Sequence, residues 1–173
     1  MKFVDRVARL HSDIGDARSL EFEGMRISAG PVGRAVLLNG KEVAPSKRNL
    51  NRFLMRWRRN IVKVGTGGMF EVERQKSLAP EDRKYFHPII ASGWVEDDPC
   101  LRFWVAQTFF PFRRAWWLYS NEDWERGWER IEPLKKRYGV KCLFLLRDSD
   151  SGKLFGYNWT LIDGAPVVHD YEA

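Results

Sequence analysis

Turn-forming residues divide the first part of this chain into short apolar runs, and this spacing leaves room only for short strands joined by tight turns. Gly30-Pro31, Gly33 and Asn39-Gly40 interrupt residues 21–43 at short intervals. Asn-Gly and Gly-Pro pairs favour turns because they tolerate backbone conformations that most residues avoid. The apolar residues around these turns are Met25, Ile27, Val32, Val36, Leu37, Leu38 and Val43. The segment is therefore predicted to form a β-meander.

Strand and helix patterns alternate along the rest of the chain, which predicts an α+β fold with an antiparallel sheet. The predicted strands cover 60–64, 89–95, 101–110 and 140–146, and a terminal hairpin covers 159–169 around Asp163-Gly164. The predicted helices cover 1–20, 46–60, 69–78 and a segment from Asn121 that Gly139 ends. With 173 residues, one domain is expected over 1–173, with a sheet-rich lobe over 21–112 and a small helical lobe with the hairpin over 113–173.

The predicted helix 46–60 is basic on one face. Ser46 can cap it, and its apolar stripe consists of Leu50, Phe53, Leu54 and Trp57. Its cations are Lys47, Arg48, Arg52, Arg56, Arg58 and Arg59, six in thirteen residues without an acidic residue among them. Such a face is either simply solvated or binds nucleic acid or an acidic protein, and the net charge of +6 fits an acidic partner. The candidate contact residues are Arg52, Arg56 and Arg59.

Aromatic residues form a second candidate binding surface. The chain has eight Trp, eleven Phe and five Tyr, and Trp and Arg side chains dominate the energetics of protein interfaces. The best local cluster of this kind consists of Arg113, Arg114, Trp116 and Trp117. This cluster is interpreted either as a contact surface for a protein partner or as part of the core.

Cysteine usage and hydropathy indicate a cytoplasmic protein without a membrane partner. Cys100 and Cys142 lack metal-ligand spacing, and one pair of cysteines cannot form the disulfide framework of a small secreted domain. No apolar run approaches the roughly 18 residues of a membrane span, and no secretory signal is evident at the N-terminus. The three histidines, His11, His87 and His169, are far apart, which argues against a zinc site.

Lys63 is the first candidate residue for a nucleotide site. It lies inside the apolar run Ile-Val-Lys-Val, where an unpaired ammonium would be costly to bury. Glu71 or Glu73 on the following helix can supply a partner; alternatively, Lys63 lies on an edge strand with its head group in water. Gly30 and Gly33 are candidates because glycine turns let backbone N–H groups approach phosphates, although glycines between strands usually only form turns.

Asn158 and Asp170 form the second part of this candidate site. They lie twelve residues apart, at the two ends of the predicted hairpin. Amide and carboxylate oxygens are hard ligands that suit Mg²⁺, and in nucleotide sites this metal bridges the phosphates. The alternative for Asp170 is a turn cap near the end of the sequence.

These residues resemble the protein-kinase-like superfamily, and within it the small kinase-like proteins that bacteriophages encode. The stretch GYNWTLIDGAPVVHDY at 156–171 is similar to the family's asparagine, hairpin and metal-binding aspartate. The stretch 71–89 is similar to its helix C and fourth strand, 103–112 to its next strand and interlobe hinge, and Lys63 stands at its phosphate-binding lysine. The resemblance implies a reduced kinase-like fold over 25–173. It also implies a site for Mg-ATP formed by Gly30, Gly33, Lys63, Glu71, Asn158 and Asp170, with Asn158 and Asp170 on the metal.

The sequence departs from this family at positions that phosphoryl transfer requires. Lys153 stands where the family has its catalytic aspartate, and Glu172 replaces the glycine after the metal-binding aspartate. The sequence ends at Ala173, so a truncated C-terminal lobe without an activation segment is expected. Catalysis is not expected, because positioning supplies most of the rate enhancement in this chemistry. Weak binding of Mg-ATP or none is expected from the same departures, since a missing lobe would also leave the nucleotide more exposed to water.

The resemblance therefore implies a degenerate, pseudokinase-like binding protein. Its expected role is to engage a host bacterial protein, such as a defence or transcription factor, and to modulate or inhibit it. Two alternatives remain open. One is a nucleotide-binding phosphotransferase, and the other is a nucleic-acid-binding protein that acts through the predicted basic helix 46–60.

Overall fold

The computed structural model describes residues 20–47, 49–109 and 115–171, which form an α+β protein with mostly antiparallel sheets. These residues belong to two compact units. The sheet unit comprises 20–72 and 89–109, and the helix–hairpin unit comprises 73–88 and 115–171. Apart from Leu20, the helix predicted over 1–20 lies outside the described residues. No helix within these ranges combines the length and apolar character that crossing a membrane requires.

Three short strands form the β-meander that the turn residues predict. They are β1 (Ile27–Ala29), β2 (Val36–Leu38) and β3 (Lys41–Val43), antiparallel in that order. A 3-10 helix, Leu20–Phe22, precedes them. Asn39 and Gly40 form the turn between β2 and β3, with φ of 50° and 78°, the left-handed conformation that these two residues tolerate. The prediction for residues 21–43 is confirmed.

A four-stranded antiparallel sheet completes the sheet unit. Its strands are β4 (Phe53–Trp57), β5 (Asn60–Gly65), β6 (Ile89–Trp94) and β7 (Phe103–Thr108), in the order β4-β5-β7-β6, and helix α1 (Gly68–Ser77) follows β5. The predicted strands over 60–110 and the helix over 69–78 are confirmed within a few residues. The meander and this sheet share one hydrophobic core, which contains Phe22, Ile27, Val36, Phe53, Met55, Val62, Val64, Ile90, Val95 and Ala106.

The predicted helix over 46–60 is wrong, because its second half is strand β4. Phe53 and Met55 are buried, whereas Leu54 and Arg56 are exposed, so the burial follows the period of a strand. The ladder of β4 on β5, from Phe53–Val64 to Trp57–Asn60, supplies backbone hydrogen-bond partners from a distant part of the sequence. The predicted helical stripe used Leu54 and Trp57 in place of Met55, and long-range pairing decides between the two patterns.

The helix–hairpin unit contains two short helical segments, one long helix and two strand pairs. These are a 3-10 helix (Arg83–Tyr85), α2 (Ala115–Leu118), α3 (Asn121–Tyr138), β8 (Phe144–Arg147) with β9 (Leu154–Tyr157), and β10 (Trp159–Ile162) with β11 (Ala165–Val168). Ser120 caps α3 through a reciprocal pair of hydrogen bonds with Asp123, and Gly139 ends it at φ 63°. The predicted long helix and terminal hairpin are confirmed. The strand predicted over 140–146 lies at 144–147, and β9 was not predicted.

Trp159 is the centre of packing in this unit. It is fully buried and meets Trp124 edge-on, with ring centroids 5.3 Å apart. Its indole N–H donates to the carbonyl oxygen of Phe144 at 2.8 Å. A Cβ atom at Gly127 would lie 2.9 Å from the Trp159 ring, and one at Gly156 would lie 2.4 Å from the Trp159 carbonyl oxygen. Both positions therefore require glycine for lack of space.

Candidate functional site

Lys63 and Glu71 form a buried ion pair in the sheet unit. The Lys63 Nζ donates to both carboxylate oxygens of Glu71, at 2.9 and 2.8 Å. The two side chains are 9% and 0% exposed. Lys63 lies on β5, an interior strand, between Leu54 of β4 and Val105 of β7. The interpretation of Lys63 as an edge-strand residue is therefore wrong.

The close approach of α1 to β7 explains why Glu71 reaches Lys63. A Cβ atom at Gly68 would lie 3.0 Å from Val105 Cγ1, so the first turn of the helix lies directly on the sheet. Val105 is the neighbour of Lys63 in the ladder and shares its face of the sheet. Glu73 instead binds Lys76 at the surface, at 2.9 Å. Of the two glutamates predicted as partners of Lys63, Glu71 is the one that binds it.

The glycine turn at residues 30–35 is held by its own hydrogen bonds. The N–H of Gly30 donates to the carbonyl of Ala35 at 3.0 Å, and the N–H of Gly33 donates to the carbonyl of Gly30 at 2.9 Å. Gly33 has φ +69°, which favours glycine at this position. These two N–H groups are used inside the turn, so a phosphate would need other donors.

The Arg102 side chain also stabilises this turn, and the sequence did not suggest this arginine as a functional residue. Its guanidinium donates to the carbonyl oxygens of Gly33, Arg34 and Ala35 at 2.9, 3.1 and 3.2 Å. It also binds Asp98 through two hydrogen bonds, of 2.7 and 3.0 Å. The sequence signal was available: an Asp-Pro turn is followed, four residues after the aspartate, by an arginine that opens an apolar strand.

The pKa of Asp98 reflects two opposing effects. Burial raises this pKa, but hydrogen bonds from the Arg102 side chain and from the N–H groups of Arg102 and Cys100 lower it. The lowering effects together are larger, so the pKa lies below the ordinary value of 3.8. Asp98 is therefore held as a carboxylate at neutral pH.

Asn158 and Asp170 lie side by side at the open end of the β10–β11 hairpin, in the helix–hairpin unit. The N–H groups of His169 and Asp170 donate to the Asn158 carbonyl oxygen, at 3.0 and 3.4 Å. Asn158 has φ 61°, a left-handed conformation that asparagine tolerates. Its Nδ2 donates to the carbonyl oxygen of Cys142 at 3.2 Å. Within this unit, the structure brings the two predicted metal-binding residues together.

The donor atoms of this pair suit a hard cation. Because the Asn158 nitrogen donates to a carbonyl, its amide oxygen is the atom suited to a metal, and Asp170 contributes a carboxylate. Across 20–47, 49–109 and 115–171, no three His, Cys, Asp or Glu side chains gather as metal ligands. A magnesium ion held here would take its other ligands from water and phosphate, as this metal commonly does.

The segment before Asn158 forms the β8–β9 turn. Lys153, at the position of the family's catalytic aspartate, accepts the Asp148 N–H on its carbonyl oxygen at 2.8 Å. The Asp148 carboxylate accepts hydrogen bonds from the N–H groups of Ser151 and Asp150, at 2.7 and 3.1 Å. These bonds, chiefly that from the Ser151 N–H, lower the pKa of Asp148. Asp148 thus stabilises the turn.

The predicted partner-binding arginines of the sheet unit lie on β4 and in the loops that flank it. Arg56 is exposed on β4, and Arg59 binds Glu21 at 3.1 Å in the turn after it. Arg52 is half-buried. The three arginines therefore do not share one face of a helix, as predicted, but lie on a strand and in the loops beside it.

The predicted Arg–Trp cluster is only partly described. Trp117 is 68% exposed on α2, which favours the contact-surface interpretation for this residue. Arg113 and Arg114 lie outside the described residues, and so does the side chain of Trp116.

Comparisons with protein families, with curated protein sequences and with solved structures find no match to this chain. The resemblance to kinase-like proteins consequently rests on the residues of this chain alone.

Proposed function

We propose that the protein is a degenerate kinase-like binding protein that binds nucleotide phosphate at Lys63 without transferring the phosphoryl group. The observation that supports this most strongly is the setting of the buried Lys63–Glu71 pair. The lysine strand β5 is followed by the glutamate helix, then by edge strand β6, then by β7, which returns beside β5. In protein kinases, a strand lysine is likewise paired with a helix glutamate and contacts the nucleotide phosphates.

The energetics of the Lys63–Glu71 pair also favour a functional role for the Lys63 ammonium group. A buried ion pair adds little net stability, because the cost of removing both charges from water offsets their attraction. Lys63 lies between Leu54 and Val105, where an apolar side chain would pack without that cost. A phosphate-binding role accounts for a lysine at this position, and Glu71 orients its ammonium group.

Asn158 and Asp170 are the proposed ligands of a magnesium ion bound by the helix–hairpin unit. When bound, the metal neutralises phosphate charge and links the nucleotide to the protein. Backbone hydrogen bonds hold the two residues together at one end of a hairpin, which supports a joint role.

The absence of phosphoryl transfer is supported by the segment before Asn158. Lys153 has no carboxylate with which to accept the proton of an attacking hydroxyl. Asp148, the nearby alternative, accepts its hydrogen bonds inside the β8–β9 turn. We therefore propose that the protein functions by binding rather than by catalysis.

The proposed function is to bind a partner protein. On helix α2, Trp117 and Leu118 are adjacent and 68% and 73% exposed, and the Lys153 ammonium lies 5.5 Å from the Trp117 ring. Exposed aromatic anchors beside a cation are typical of protein contact surfaces. The resemblance to phage-encoded proteins makes a host bacterial protein the proposed target.

Nucleotide binding is tested by thermal denaturation with Mg-ATP. At a hundredfold excess over its dissociation constant, the nucleotide should stabilise the fold by about 2.7 kcal/mol. Asp170→Asn should remove the shift because it weakens a hard-oxygen ligand. Asp163→Asn is the matched control, since this exposed aspartate lies at the turn of the same hairpin. The absence of any Mg-dependent shift, or an equal shift in all three proteins, would contradict the proposed site.

Phosphoryl transfer is tested separately with γ-labelled ATP. We expect no label on the protein itself or on proteins of a bacterial lysate. Label that appears with the wild-type protein and disappears with Asp170→Asn would instead favour the phosphotransferase alternative.

Partner binding is tested by affinity capture from nuclease-treated bacterial lysate. A protein retained by the wild type and lost with Trp117→Ser/Leu118→Ser would support the proposed surface. Retention unchanged by that double substitution would contradict it.

A further inference from the structure

Two arginines occupy the turn between β4 and β5, where glycine or asparagine is usual. Trp57 pairs with Asn60, so the turn residues are Arg58 and Arg59. Arg58 has φ 52°, in the left-handed region, which is unfavourable for a residue with a long side chain. Local preferences of this kind are expected to be broken where function requires a particular residue. The turn therefore carries a backbone cost that glycine or asparagine at position 58 would reduce.

The neighbouring guanidinium groups lie over aromatic rings. The Arg56 Cζ lies 3.9 Å from the centroid of the Phe109 ring, and the Arg58 Cζ lies 5.7 Å from that of Trp57. Stacking on a ring orients a planar guanidinium and leaves its N–H edge available to an acceptor. Among the described residues, no carboxylate forms an ion pair with Arg56 or Arg58.

Phe109 lies directly beside this turn and is 41% exposed. Its N–H donates to the Arg59 carbonyl oxygen at 2.9 Å, so ring and turn are held together. Glu21 is the one acidic partner in this region of the described chain, and it binds Arg59 at 3.1 Å. An exposed ring thus lies against Arg56 and beside the turn that carries Arg58 and Arg59.

We propose that this surface, formed by Arg56, Arg58, Arg59 and Phe109 and here called the arginine turn, binds single-stranded nucleic acid. Guanidinium groups bind phosphate oxygens through paired N–H donors. The part of the Phe109 ring that Arg56 does not cover stacks on an unpaired base. The combination fits a single strand better than a duplex, whose bases are already stacked on each other. It also fits nucleic acid better than an acidic peptide, which would use the cations but not the ring. The proposal is independent of the nucleotide site at Lys63.

The test measures binding of fluorescein-labelled 12-mers of oligo(dT) and oligo(U) by fluorescence anisotropy at several salt concentrations. Arg56→Gln/Arg58→Gln/Arg59→Gln should weaken binding by roughly tenfold or more at low salt. It should also reduce the slope of log K against log salt by about 2, from about 0.7 for each lost phosphate contact. The two oligomers distinguish DNA from RNA as the preferred strand.

The matched control is Lys76→Gln/Arg126→Gln/Lys136→Gln, which removes the same charge from three exposed side chains elsewhere. Its affinity should stay within about twofold of wild type. Equal weakening by the two triple variants would overturn the proposal, because it would show a response to net charge alone. The proposal would also be overturned if the wild-type protein bound duplex as tightly as single strands. It would likewise be overturned if polyglutamate competed for the protein as effectively as an unlabelled oligomer.

Arg58→Gly separates binding from folding. Glycine accepts the left-handed conformation, so this variant should melt at a higher temperature than wild type while binding the oligomers more weakly. Phe109→Leu should weaken binding several-fold through lost stacking without changing the salt slope. Unchanged binding in both variants would overturn the proposal.

Discussion

Both carboxylate oxygens of Glu71 accept a hydrogen bond from the Lys63 ammonium group, at 2.9 and 2.8 Å. The neighbours of Lys63 along its strand, Val62 and Val64, are buried. Lys63 and Glu71 are eight positions apart, on a strand and on the helix that follows it. Within this pair, each side chain supplies a charge of opposite sign to the other. Stability and any binding of phosphate therefore depend on the pair as one group.

Removing one member of this pair should be more damaging than removing both. Glu71→Gln or Lys63→Met should each lower the free energy of unfolding by about 3–5 kcal/mol, because the remaining buried charge loses this ion pair. Lys63→Met/Glu71→Leu should recover most of that loss. Urea denaturation of the four proteins measures the coupling, and a double variant as unstable as the sum of the singles would show that the residues act independently.

Asp98 should make the fold sensitive to acid. Its pKa is lower in the folded protein than the ordinary 3.8, so its ionised form stabilises the fold above that pH. This contribution should be lost as the pH falls below about 4 towards the folded pKa. Asp98→Asn lacks the charge, so the stability difference between wild type and variant should narrow between about pH 5 and pH 2. Denaturation across that range measures it, and a constant difference would refute the ion-pair explanation.

Gly127→Ala should destabilise the protein although alanine is the better helix former. Alanine favours a helix interior by about 1 kcal/mol, but its Cβ would lie 2.9 Å from both Trp159 and Leu161. Glu125→Ala, at an exposed position of the same helix, serves as the control and should change stability by less than about 0.5 kcal/mol. A Gly127→Ala protein more stable than wild type would mean that the packing around Trp159 is looser than described.

Gly33→Ala and Gly40→Ala should differ in cost although both positions have left-handed backbones. Their φ angles are +69° and +78°, so each substitution should cost about 1 kcal/mol in backbone strain. Only Gly33 adds a close contact, with a Cβ 3.0 Å from Pro99, whereas nothing lies within 4 Å at Gly40. Thermal melting of the two variants compares them directly. Equal losses would indicate that the turn held by Arg102 can shift to make room.

Local signals account for the elements that the sequence predicts correctly. Asn39-Gly40 and Asp163-Gly164 both form tight turns with positive φ, and the strands beside them follow directly. Ser120 and Gly139 bound the long helix as their chemistry predicts. The pairing of Lys63 with a helix glutamate also follows from local reasoning, because a lysine in a buried strand needs a nearby carboxylate.

The errors arise where the deciding interaction is distant in sequence or the turn has no usual signal. Phe53, Leu54 and Trp57 fit a helical stripe, but pairing with β5 makes this segment a strand with Phe53 buried and Leu54 exposed. The β4–β5 hairpin also lacks a usual turn signal, because its turn residues are Arg58 and Arg59 rather than Asn-Gly. The sequence did not indicate the Asp98–Arg102 pair for a related reason. The Arg102 side chain stabilises the fold by donating to carbonyl oxygens of a turn more than sixty residues earlier.

The glycine at 156 has a consequence for how this protein can change over evolutionary time. Its missing side chain leaves the space occupied by the Trp159 backbone and indole, with distances of 2.4 and 2.6 Å from a hypothetical Cβ. A mutation at 156 alone would displace the indole, and a smaller residue at 159 alone would leave a void beside the glycine. In diverged relatives of this chain, glycine should therefore persist at 156 even where Trp159 is replaced, because the nearest atom to a Cβ there is the backbone carbonyl oxygen of residue 159.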